Sequence, residues 1–279
     1  MTHPFRHSIC NEIYQGWDFA AACHHMRGVG YEGIEIAPFT LAEEPASISS
    51  ESRREYRDII RNEGLQFVGL HWLMVSPKGL HVTTPDAALR ARSWEHIRHL
   101  VDLSSDLSGS SSVMVFGSPV QRGTTGGSTR EEATDRFVDG LQIVATHAAE
   151  RGVTILVEAL PKNQCNVITS LAEAVSIVQQ VSSPGVATMF DVHNAVDETE
   201  PHDVLVRRYF EYIRHIHVNE IDGRHCGAGD YDFSPLLAAL KDLKYAGWIS
   251  LEAFDFKPGA ERIATESIQH LSSLTRMML

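Results

Sequence analysis

No stretch of these 279 residues approaches the ~18 uninterrupted apolar residues that a membrane-spanning helix needs, so no membrane partner is expected. Cysteine is sparse and unpaired in spacing. Cys10, Cys23, Cys165 and Cys226 form no CxxC and are scattered over the chain, which reads as reduced thiols and not a disulfide framework. Basic residues are in deficit, 24 Lys and Arg against 36 Asp and Glu, for a formal charge of −12. Nucleic-acid affinity rests largely on cationic side chains neutralising phosphates, so such a partner is not expected. The first residues, MTHPFRHSIC, lack the charged start and apolar middle of a secretory signal, and a cytoplasmic location is the expectation. No low-complexity linker divides the sequence, and a single domain over 1–279 is expected.

What the chain does contain is a repeated alternation of short apolar runs and helical stretches. Strands are expected at 5–10, 33–37, 66–72, 112–117, 153–158, 186–191, 213–218 and 248–253, each β-branched or aromatic and nearly continuously apolar, as strands covered on both faces are. Between them, Ser128-Thr129-Arg130-Glu131 looks like a capping box opening a helix that closes on Gly152. Ser170 opens LAEAVSIVQQV, and Pro85-Asp86 precedes a helix running to about Leu107. Eight such units predict an α/β fold of the (β/α)8 TIM-barrel kind. A doubly wound dinucleotide fold is excluded, because strand one runs into CNEIYQGW with no GxGxxG.

In such a barrel the residues at the carboxyl ends of the strands face the site. Strands five to eight end on Glu158 (LVEAL), Asp191 (FDVHN), His217 (HIHVN) and Glu252 (SLEAF), spaced 191−158 = 33, 217−191 = 26 and 252−217 = 35 residues apart, about one unit each. With an imidazole beside them on one rim, three carboxylates would repel and raise each other's pKa unless a cation neutralised them. The oxygen-rich set suits one divalent metal ion, Mn2+ in the first place, with Mg2+, Co2+ or Zn2+ as alternatives. Taken singly, any of these acids is as readily a helix cap or an ion-pair partner; four at matched positions are not.

At these residues the chain resembles the xylose-isomerase-like TIM barrels, and most of all their sugar phosphate isomerase/epimerase branch, which holds the ketose 3-epimerases. The resemblance runs from GYEGIEI to WISLEAF, and its most specific piece is HIHVNEIDGRHCGAGDYDF. It implies that Glu158, Asp191, His217 and Glu252 hold the metal and that Glu158 and Glu252 flank the sugar and exchange its proton. It also implies substrate contacts for His193 and Arg224, a carbohydrate substrate, and a homodimer or homotetramer. Two departures stand out. Cys226 occupies the usual proline position before Gly227, and Gln164 stands where the epimerases carry a second Glu six positions after Glu158.

The implied chemistry is proton removal beside a carbonyl through a metal-stabilised enediolate, with the two glutamates as acid and base. Returning the proton to the same carbon gives epimerisation; delivering it to the neighbouring carbon gives aldose–ketose isomerisation. The alternative is a metal-dependent lyase or dehydratase of a keto-sugar or keto-inositol, which begins with the same step. A nuclease, which needs more histidine ligands and a basic face, and a non-catalytic sugar-binding barrel rank below both. Further along the rim, Glu35 is expected to bind a substrate hydroxyl or a neighbouring side chain, and His71 and Trp72 to line the pocket. Cys226 is the cysteine to watch, and GSPVQRGTTGGST is expected to be a flexible loop. Of the 15 histidines, His24, His25, His96 and His99 are expected on exposed helix faces, while Tyr31, Trp94 and Phe137 are expected to be packing residues.

Overall fold

The computed structural model describes residues 5–277; residues 1–4 and 278–279 of the expected single domain lie outside the described residues. Eight parallel strands close on themselves in sequence order: β1 Arg6–Cys10, β2 Gly33–Ile36, β3 Gln66–Leu70, β4 Ser112–Phe116, β5 Val153–Val157, β6 Val186–Asp191, β7 Ile213–Val218 and β8 Trp248–Leu251. The expected strands are all present, with β2, β3, β4, β5 and β8 stopping one or two residues early. The reason is geometric: residues such as Glu158 and Glu252 leave the ladder to face the rim.

Around the barrel run helices α1 Phe19–Val29, α2 Ser50–Asn62, α3 Ala87–Ser108, α4 Pro119–Arg122, α5 Arg130–Glu150, α6 Leu171–Val181, α7 His202–Tyr209, α8 Ser234–Asp242 and α9 Ala260–Met277. Their starts are written in short polar side chains. Asp86 accepts from the backbone N–H groups of Ala88 and Leu89, and Ser170 from that of Glu173. The capping box of α5 is real but displaced by one residue: Thr129 is the cap and Glu132 its reciprocal partner. The stretch expected to be a loop after β4 instead contains the single turn of α4 and a wholly buried Arg122, which donates to the carbonyls of Phe116 and Glu158.

Side chains two apart along a strand share a face. On β5 and β6 this puts Leu156 behind Glu158, and Met189 and Ala187 behind Asp191. Val115, Leu156, Ala187 and Met189 form a buried cluster separate from the main core, as residues filling one side of the barrel interior should. The main core, including Phe116, Ile155, Val157 and Phe190, lies between strands and helices. The opposite side of the interior, from β1, β2, β7 and β8, is polar: Ser8, Cys10, Glu35, His215, His217 and Ser250 are all buried. Gly69 permits the close β3–β4 approach, since a Cβ there would lie 2.2 Å from the Val113 carbonyl oxygen.

Candidate active site

Four adjacent strands deliver Glu158, Asp191, His217 and Glu252 to one point at the carboxyl end of the barrel. One ligating atom from each lies within 4.8 Å of the others, and all four residues are buried. Glu158 and Glu252 face a cavity of about 450 Å3, also lined by Trp72, Leu160, Gln164, His193 and Asn194. Asp191 and His217 lie just beneath its floor.

Each member of the quartet is held by its neighbours. His217 Nδ1 lies 3.0 Å from Glu252 Oε2 and 3.5 Å from Asp191 Oδ2. The other oxygen of Glu252 accepts from Trp72 Nε1 at 2.8 Å. Glu158 Oε1 accepts from Asn194 Nδ2 at 2.9 Å, and Asp191 Oδ1 from the Asn194 backbone N–H at 2.8 Å. Gly117 clears the space that Glu158 occupies: a Cβ on it would lie 2.1 Å from Glu158 Oε2. The glycine ending the SVMVFG run is therefore part of the carboxylate's seat.

Electrostatics show what this set lacks. Burial, reinforced by Glu252 and Asp191, pushes the Glu158 carboxyl up to about 8. Burial also raises Glu252, with Asp191 adding to it. Asp191 is raised by burial too, but its hydrogen bond to His217 and the charge there outweigh this and hold it below the usual range. A divalent cation fits such a set: three carboxylates and one imidazole are hard-to-borderline donors, and their mutual repulsion is relieved by positive charge.

Beneath the quartet lies a layer of hydrogen bonds that strand-end counting alone does not reveal. His217 Nε2 pairs with Glu35 Oε1 at 3.0 Å, and His215 Nε2 with Glu35 Oε2 at 2.8 Å. His71 Nε2 pairs with Glu12 at 2.6 Å. These distances decide between the two roles expected of Glu35 and correct the one expected of His71. Glu35 and His71 are fully buried and do not line the cavity; their partners are neighbouring side chains. The chain turns inward at the end of β3, so His71 points into the barrel and Trp72, in the left-handed region at φ 50°, swings over the rim. Trp72 does line the cavity, stacked between Phe39 and Phe254. Cys10, and not the buried Cys226, is the thiol nearest this layer, grouped with Glu35 and His217 and with Glu12 and His71.

His193 lines the cavity. Its Nδ1 lies 2.7 Å from the Ile221 carbonyl, which can only accept, so Nδ1 carries the proton and a neutral ring leaves Nε2 as an acceptor. Gln164 Nε2 lies 3.5 Å from that atom. Arg224 turns elsewhere: it donates to Asp222 Oδ2 and to the Ala228 carbonyl, and is not among the cavity's lining residues. Asn194 and Gly117 in the site, Glu12 and His215 beneath it, and the aromatic wall of Phe39 and Phe254 were missed from sequence. Asn194 alone had a signal, its place in DVHN after β6. Among the histidines, His24 is exposed and His25 and His99 are half-buried. His96 is buried with Nε2 3.1 Å from the Leu73 carbonyl, against expectation, because α3 turns that face onto the loop after β3. Tyr31, Trp94 and Phe137 are buried, as expected.

The family model for the xylose isomerase-like TIM barrel matches residues 23–274. The chain belongs to that family. Among curated relatives of this barrel, an L-ribulose 3-epimerase of Methylomonas sp. (strain DH-1) is 24% identical over 241 residues, 85% of this chain and 80% of that protein. Among solved structures, a D-psicose 3-epimerase crystallised in the presence of D-fructose matches with a TM-score of 0.81 at 18% identity, covering 98% of both chains. A 3-keto-D-glucoside 4-epimerase from E. coli also gives 0.81, at 16% identity over 98% of this chain and 99% of its own. No described helix is long and apolar enough to cross a membrane.

Proposed function

We propose that this barrel is a divalent-metal-dependent sugar epimerase or isomerase that moves a proton on a carbon next to a carbonyl. Its kinship with ketose 3-epimerases makes it an enzyme of the sugar isomerase/epimerase class. The observation that carries the proposal is the convergence of Glu158, Asp191, His217 and Glu252 at the floor of the cavity, with both glutamates reaching it.

Glu158, Asp191, Glu252 and His217 through Nδ1 would hold the metal ion, with Mn2+ the first choice. When bound it supplies positive charge to the carbonyl and hydroxyl oxygens of the substrate as negative charge develops there. The remaining work belongs to the chain. Glu158 and Glu252 stand on non-adjacent strands, β5 and β8, so a sugar between them meets a carboxylate on each face. One takes the proton and the other returns one, an assistance typically worth about 10²–10⁴-fold. Asn194 fixes one oxygen of Glu158 and leaves the second to act, whereas Glu252 is held at both oxygens, by Trp72 and by His217 Nδ1, and metal binding by that nitrogen would release the second. His193 Nε2 accepts a sugar hydroxyl. Gln164, a neutral amide, still accepts through Oε1 but carries no charge and takes up no proton, so a hydroxyl donating to it is bound less strongly than by a carboxylate.

The test is deuterium incorporation. Metal-stripped protein is reloaded with Mn2+, Mg2+ or Co2+ and incubated in D2O with ketoses, ketose phosphates and keto-inositols, followed by NMR. Metal-dependent uptake with formation of a new diastereomer or aldose is expected. Loss of water or of an aglycone would assign elimination instead. An absence of exchange with every substrate, together with no retained metal, would sink the proposal.

A further inference from the structure

The cavity above the quartet is larger than one sugar ring requires and changes character with height. At ~30 Å3 per water, about 450 Å3 holds about 15 waters. The dozen or so non-hydrogen atoms of a hexose, bonded at covalent distances, need less. Its buried part is lined by Glu158, Glu252 and Asn194 beside Leu160, whereas its outer wall, at the mouth, carries the apolar Val75, Pro119, Val120, Phe254 and Trp72, with the exposed Gln164 and Lys78 among them. Two of these mouth residues are among the exposed large hydrophobics of the described residues: Val120 is 78% and Phe254 37% exposed. Trp72 and Phe254 stack 9° from parallel with centroids 6.1 Å apart, which fixes the ring of Phe254 at the outer wall.

Apolar side chains held in water at the lip of a polar cavity mark a place where a ligand removes them from water. The occupant must be continuous with the sugar below, because mouth and floor belong to one cavity. A phosphate is a poor fit there. Lys78 is the single cation in the lining, and the turn of α4 at the mouth opens on Pro119, which has no N–H to offer.

We infer that the substrate is a sugar bearing an apolar, aromatic aglycone, with the sugar ring on the quartet and the aglycone against Pro119, Val120 and Phe254. This rests on the metal-dependent sugar chemistry proposed above and narrows its substrate class. It departs from a free ketose, which would leave the apolar mouth facing water.

The test uses Mn2+-loaded full-length protein and calorimetric titration with three keto-glycosides: the methyl, the phenyl and the 4-glucosyl (cellobiose) derivatives of 3-keto-β-D-glucose. The phenyl compound should bind about tenfold or more tighter than the methyl, from the apolar area of one ring removed from water. Val120→Asp, a change at an exposed position, should pull the phenyl-to-methyl ratio towards one, with the melting temperature checking that the fold is kept. Equal affinity for phenyl and methyl, a ratio indifferent to V120D, or no binding of any glycoside would overturn the inference. A cellobiose derivative binding as tightly as the phenyl compound would also overturn it, assigning the mouth to a second sugar. Failure of the underlying sugar chemistry is distinguishable, since it would show as loss of deuterium exchange with every sugar.

Discussion

The raised carboxyl of Glu158 makes a strong statement about the metal-free protein. In the unfolded chain Glu158 titrates near 4.5; in the fold it titrates at about 8, because burial and then Glu252 and Asp191 disfavour its charge. The folded state therefore holds a proton that the unfolded state releases between these two values. Linkage then makes stability fall as pH rises from about 4.5 through 8, and the full cost is present above 8. At ~1.4 kcal/mol per unit, the rise sets a ceiling of about 5 kcal/mol. The nearby acids share the same repulsion, so about 2–3 kcal/mol is a fair expectation for Glu158 alone. Glu158→Gln, which keeps the shape and removes the charge, should make the metal-free protein more stable than the parent at pH 8.5 and little different at pH 5. Mn2+ should stabilise the parent, by about 2.7 kcal/mol at 100 times Kd, and do little for E158Q. Urea unfolding at the two pH values, with chelator and with Mn2+, reads all four quantities. If chelated parent and E158Q show the same pH dependence, the three carboxylates are not in electrostatic conflict and the case for a cation falls with it.

Three further outcomes follow from particular contacts. Glu35→Gln removes the carboxylate that pairs with His217 Nε2; since partners of this kind typically contribute 10–100-fold in metal affinity, calorimetric Mn2+ titration should show a loss in that range, and unchanged affinity would deny Glu35 its orienting role. Gly117→Ala places a methyl group where Glu158 Oε2 now sits; a flexible side-chain end can yield, so the melting temperature should change little while Mn2+ affinity falls at least tenfold, and equal metal binding would show the seat to be unimportant. Burial holds the His96 ring below its usual 6.5. The unfolded chain therefore binds more protons, and its contribution is complete above 6.5 and shrinks as pH falls below that value. His96→Asn should flatten the acid side of the Tm–pH curve near 6, and an unaltered curve would assign that slope elsewhere.

Much of the fold was legible because its signals are local. Strands covered on both faces must be apolar along their length, and helix starts must satisfy orphan N–H groups, so runs such as VTILV and caps such as Asp86 and Ser170 can be read from neighbours alone. The quartet was legible for a related reason: a repeating βα unit turns sequence spacing into position on a rim, so Glu158, Asp191, His217 and Glu252 could be placed together without coordinates. Position on the rim does not fix direction, and there the tertiary structure decided. Whether Glu35 and His71 face a substrate or the barrel interior depends on where each strand leaves the ladder and on partners 180 and 59 residues away, His215 and Glu12. His96 became buried because α3 packs a polar position onto a distant carbonyl, and Arg122 because a turn of helix folds it beneath Glu158. A chain's own periodicity determines which faces are apolar. Only the closed barrel determines which buried polar groups find each other, because those pairings span strands that the sequence keeps far apart.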